Sequence, residues 1–110
     1  MDVSALFVEI VGVYSMHGWQ LRRVLLRPET QFDQNITGAQ VPVVEASMDA
    51  LWFSRPSHAG REAWELRVLS ENPYALFETF EADESEEQRD EMRLELENRL
   101  REYVTTKRSN

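Results

Sequence analysis

Histidine is the side chain best suited to proton transfer near neutral pH, and this chain has two, His17 and His58. A catalytic base works beside a nucleophile or an orienting carboxylate, and neither histidine has one at a recognisable spacing. His17 closes an apolar segment just before Gly18, where a cation favours the dipole of a helix end. His58 stands in a run of turn residues, Arg55-Pro56-Ser57-His58-Ala59-Gly60-Arg61. No HxH or HxxxH spacing supplies a second ligand, so no metal centre is expected. Cysteine is absent, which removes thiol nucleophiles, thiolate ligands and disulfides together. Gly12, Gly18, Gly38 and Gly60 lie too far apart for a phosphate-cradling loop or a dinucleotide fingerprint, and no serine elbow is present. The expectation is a protein with no catalytic residues and no cofactor, leaning away from an enzyme.

The charged residues could still bind. Glu78, Glu81, Asp83, Glu84, Glu86, Glu87, Asp90 and Glu91 form an acidic run without the spaced oxygens and central glycine of a calcium loop. It reads as the solvated start of a helix, or else as a dock for a basic partner. Net charge is −8, and the imbalance is uneven: residues 1–69 carry eight acids and six bases, residues 70–110 twelve and six. Such a surface repels phosphate backbones, so no nucleic-acid partner is expected. Arg22, Arg23 and Arg27 cluster in one segment. Strand alternation sends Arg22 and Arg23 to opposite faces, so they cannot form one patch; they could instead meet the acidic C-terminal helix, within the chain or across a dimer. An arginine inside a cavity could anchor a carboxylate ligand.

These side chains need a scaffold, and 110 residues with 42% apolar content allow a single domain with a real core. The expected domain spans residues 1–105, with 106–110 as a frayed tail. No basic region precedes the apolar run from Val3 to Met16, and the run falls short of the ~20 residues that span a bilayer. Neither a secretory signal nor a membrane partner is therefore expected, and the setting reads as cytoplasmic. The sequon Asn35-Ile36-Thr37 is then coincidental.

Val3 to His17 places Val3, Phe7, Ile10, Val11 and Tyr14 on one side at helical spacing, with Gly18 as C-cap. Its Val, Ile and Phe content would also suit a buried strand. Strands are expected at Trp19–Arg27, Val43–Ser54, Glu62–Leu69 and Tyr74–Glu81, with a loop over Glu29–Gln40. The last helix begins near Asp83 or Ser85, each followed three residues later by a capping-box partner, Glu86 or Gln88. Its inward stripe is Met92, Leu96, Leu100, Tyr103 and Val104. Glu95–Arg99 and Glu97–Arg101 stand at ion-pair spacing. The fold class is α+β, a four-stranded antiparallel meander flanked by N- and C-terminal helices in the order α-β-β-β-β-α.

The simplest register sets Trp52 opposite Trp64 and Asp49 opposite Arg67. One sheet face then collects Met48, Ala50, Trp52, Trp64, Leu66, Val68, Ala75 and Phe77. The other collects Leu51, Phe53, Leu69, Tyr74, Leu76 and Phe80, interleaved with Asp49, Arg67 and Glu78. A sheet wetted on one side is polar there, and this one is apolar on both. Its second face could be covered by one of the chain's own helices, by a second copy, or by an apolar ligand held in a curled sheet. The primary expectation is a non-enzymatic interaction module that pairs with itself as a homodimer, or with another protein, through Asp49, Leu51, Phe53, Arg67, Tyr74, Leu76 and Phe80. The alternative is a small-ligand-binding domain or minor enzyme with a cavity between the sheet and the N-terminal helix, polar at Glu9, His17 and Arg23.

Overall fold

The computed structural model describes residues 2–38 and 40–109. Its regular elements are α1 (Ser4–Met16), β1 (Gln20–Leu26), β2 (Val43–Glu45), β3 (Ala50–Pro56), β4 (Glu62–Val68), β5 (Ala75–Phe80) and α2 (Glu86–Ser109). Of the expected tail, Asn110 lies outside the described residues. The class is α+β, but the sheet is five-stranded and mixed rather than a four-stranded meander. Its strand order is β2-β1-β3-β4-β5. β2 runs parallel to β1, and the other neighbours are antiparallel.

The segment 43–54 is two strands rather than one. After Glu45 the chain passes around the C-terminal end of β1 and returns on its other side as β3. Asp49 holds that crossing: its carboxylate accepts the backbone N–H of Arg27 at 2.8 Å and the hydroxyl of Thr30 at 2.8–2.9 Å. The Arg27 guanidinium lies 3.5 Å away. Asp49 therefore pairs with Arg27, not Arg67. Strand β1 therefore lies between β2 and β3, not at the sheet edge where a meander would have left it.

Trp52 stands opposite Leu66, and Ser54 opposite Trp64. This register differs from the simplest one by two residues, which preserves every face assignment on β3 and β4, because strand side chains alternate with period two. On β5 the alternation is reversed. Leu76 pairs with Leu66, and Phe77 with Glu65. Tyr74, Leu76 and Phe80 therefore join the Trp52 face, whereas Ala75 and Phe77 turn to the Leu51 face.

Each helix covers one face, giving three layers. Under α2, Leu96 and Leu100 pack with Met48, Ala50, Trp52, Trp64, Leu66, Val68 and Phe80. Under α1, Phe7 and Ile10 pack with Val24, Leu26, Leu51, Phe53 and Leu69. Burial on both faces explains why the central strands carry so little polar alternation. The helix ends follow their sequence signals. At the end of α1 the Gly18 N–H reaches Ser15 O and the Trp19 N–H reaches Tyr14 O, with Gly18 at φ +84°. These are the two hydrogen bonds of a Schellman cap, and Trp19 packs edge-on against Tyr14 as its apolar contact. Ser85 and Gln88 form a reciprocal capping box at the start of α2. Glu97 and Arg101 do not pair with each other: Glu97 accepts the Trp52 indole N–H at 2.8 Å, and Arg101 donates to Ser47 and Asn98. No described helix is long and apolar enough to cross a membrane.

Candidate functional site

The residues expected to form one interface are divided by the fold. Leu51, Phe53 and Phe80 are buried in the chain's own cores, the first two beneath α1 and the third beneath α2. Of the three possible coverings, the chain's own helix is the one present, so this face is not bare. Tyr74 stacks on Tyr103 of α2 with ring centroids 3.6 Å apart, and Leu76 packs beside it. Asp49 is engaged at the β1 crossing. Arg67 donates to the carbonyl of Val68 and, at 3.4 Å, to that of Ser70. The three polar residues expected around one cavity are also separated. Glu9 is exposed on the outside of α1, and the His17 ring contacts Val13 O at 2.9 Å. Arg23 faces α2, 3.8 Å from Glu97.

Apolar surface is left bare elsewhere. The inward stripe of α1 is Val3, Leu6, Phe7, Ile10, Val11 and Tyr14. At 100° per residue the opposite stripe is Ala5, Val8, Glu9, Gly12, Val13 and Met16. Only Glu9 among these is charged. Val8, Val13 and Met16 are 57%, 53% and 83% exposed. A surface helix is ordinarily polar on its outer side, and one that is apolar all round is ordinarily buried. Phe77, also more than half exposed, lies on the same sheet face, its ring edge-on to Trp19 at the end of α1. It stands on β5, whose outer edge pairs with no strand among the described residues. Gly12 sits mid-stripe, and a Cβ built on it would meet nothing within 4 Å. Sequence reasoning named the inward stripe and stopped there. The apolar residues left over, Val8, Val13 and Met16, were the available signal.

Beneath α1, Tyr14 stacks on Phe53 at 4.0 Å and donates a hydrogen bond to Glu65. Burial, and then the Glu65 carboxylate, hold its hydroxyl far above the ordinary tyrosine range. This cluster ties the C-terminal half of α1 to the sheet.

A second feature lies on the α2 side. The register of β1 against β3 slips between Leu21 and Arg23, leaving Arg22 as an extra residue. Such a bulge re-aims side chains. Leu21 packs under α1, whereas Arg22 and Arg23 both line one cleft on the α2 face, correcting the expectation that they diverge. Pro42, Glu62, Trp64, Glu86, Arg89 and Arg93 complete that cleft of about 340 Å³. A larger cleft of about 570 Å³ opens where Arg27 and Asp49 approach Tyr103 and Val104. Among the described residues no group of three acidic or histidine side chains could hold a metal ion. No family model, curated protein sequence or solved structure matches the chain.

Proposed function

We propose that the protein is a non-enzymatic interaction module that pairs with a second copy of itself through the outer stripe of α1. The observation that carries this reading is a surface helix whose outward side has one charge in six positions, with Val8, Val13 and Met16 more than half exposed. Burying those side chains against an identical stripe would remove apolar surface from water at roughly 25 cal/mol per Å². Gly12 supports the same contact. A mid-helix glycine costs up to ~1 kcal/mol relative to alanine, and a bare Cα lets a second helix approach closely.

Charge distribution favours a second copy as the occupant. Most of the net charge lies after residue 70, and α2 packs on the sheet face opposite α1. A dimer joined at α1 keeps the two acidic helices on its far sides, where water and salt screen them. A helix of 13 residues is about 20 Å long, which places the contact at the small end of interface sizes, with affinity on the order of micromolar or weaker. The cytoplasm is the proposed setting.

Sedimentation velocity over a concentration series is the test. The wild type shifts from the 12.9 kDa monomer toward twice that mass as concentration rises. Val8→Asp and Met16→Asp, both on the exposed side, remain monomeric with unchanged circular dichroism. Gly12→Ala separates the roles of the glycine: it raises thermal stability of the monomer yet weakens association. A wild type that stays monomeric throughout the series overturns the reading.

A further inference from the structure

The cleft between β1, β4 and the start of α2 gathers more cationic hydrogen-bond donors than the chain itself uses. Arg22 and Arg93 both face the Trp64 ring, their guanidinium carbons 5.7 and 4.4 Å from its centroid. Arg22 has no ion-pair partner among the described residues, and its side chain donates no hydrogen bond to them. Arg23 is only loosely matched. Glu97 lies 3.8 Å away, beyond hydrogen-bond length, because its carboxylate is held by the Trp52 indole N–H. Arg93 is 94% buried by residue, since only 6% of its surface is exposed, and its Nε has no hydrogen-bond partner among the described residues. A buried donor left unsatisfied is costly, and an orphan of this kind calls for an explanation.

The acids around the cleft do not remove that excess. Glu62 is committed to Arg89 at 2.6 Å. Glu86 and Asp90 reach the Nη2 of Arg93, the latter at 3.2 Å, but their side chains are 72% and 66% exposed. Solvated carboxylates of that kind rotate away at little cost. Helix α2 also starts at the cleft, with Glu86 as its first residue, so the positive end of its dipole adds to the field of the arginines.

From this convergence we infer that the cleft binds the phosphate group of a small phosphorylated molecule. Three guanidinium groups with unused donors outnumber the two oxygens of a single carboxylate but suit a phosphate monoester, whose three terminal oxygens accept from several forks at once. Two cations beside one indole ring repel each other, and a dianion between them relieves that repulsion. The volume of about 340 Å³ leaves room for the phosphate and a small organic body, not for a long chain. The bulge at Arg22 is then the device that assembles the site, since without it Arg22 and Arg23 would point to opposite faces of the sheet. The site lies across the sheet from the proposed dimer surface and does not depend on it.

Two-dimensional NMR titration with phenyl phosphate as probe decides the matter, with inorganic phosphate and benzoate as comparators. Phenyl phosphate is expected to shift the Trp64 indole and the arginine side-chain N–H resonances saturably, inorganic phosphate to bind the same place more weakly, and benzoate more weakly still. Arg22→Gln, at an exposed position, weakens phenyl phosphate binding about tenfold, and Arg22→Gln with Arg23→Gln about a hundredfold. Arg55→Gln, whose guanidinium lies over Trp19 outside the cleft, leaves it unchanged. Circular dichroism confirms that each variant is folded. Non-saturating shifts spread over the surface, wild-type affinity in Arg22→Gln, or benzoate binding as tightly as phenyl phosphate would each overturn the assignment.

Discussion

Tyr14 joins three parts of the molecule through one side chain. Its ring is stacked on Phe53 and edge-on to Trp19, and its hydroxyl donates to Glu65. Burial and the neighbouring carboxylate both favour the neutral phenol, so its ionisation in the folded state is pushed above the ordinary tyrosine value. The sign of the consequence follows. The stability Tyr14 contributes is complete below the unfolded tyrosine value of about 10 and is lost as pH rises beyond it, because the unfolded chain releases that proton first. Tyr14→Phe is expected to lower stability at neutral pH by about 1 kcal/mol, since Glu65 loses its donor. It should also flatten the alkaline decline. Urea midpoints between pH 8 and 11 check this, and parallel decline in the two proteins would refute it. Nothing in the sequence pairs Tyr14 with Glu65, which are distant in the chain and meet only because α1 crosses the sheet.

At the scale of elements, local signals were legible and long-range ones were not. The Schellman cap at Gly18 and the box at Ser85 and Gln88 act within six residues, and both could be read directly. The two-sided apolar character of β3 and β4 was likewise legible, and it is what places a helix on each face. The break at residues 46–49 was not. Its cause is Asp49, whose partners Arg27 and Thr30 belong to an earlier turn. The reversed alternation of β5 was hidden for a related reason: the turn after Val68 sets the register, and that register, not composition, decides that Leu76 faces α2. Asp49→Ala tests the crossing. Losing hydrogen bonds to a carboxylate costs roughly 1.5–3 kcal/mol, and the backbone amide of Arg27 should exchange with solvent much faster. Exchange at Arg27 equal to that of the wild type would show that the crossing holds without this side chain.

At the scale of the whole molecule, the three layers separate two kinds of surface. The α2 side is charged and holds the arginine cleft; the α1 side is apolar, with Phe77 and the unpartnered edge of β5 beside it. The expectation of an apolar surface in excess of what the chain can hide came from the sheet. The sheet is covered, and the excess instead lies on the outside of the helix that covers it. Sequence periodicity identifies which side of α1 faces inward, but it does not say that the outer side stays bare. The arginine cleft was illegible in a different way, because a bulge breaks the alternation from which faces are inferred.

The most direct test of self-association through α1 is an isotope-filtered NOE experiment on a sample that mixes labelled and unlabelled copies. The account predicts cross-peaks between copies that connect the methyl groups of Val8, Val13 and Met16. Cross-peaks between copies that arise only from other surfaces, or none at concentrations well above micromolar, would contradict it.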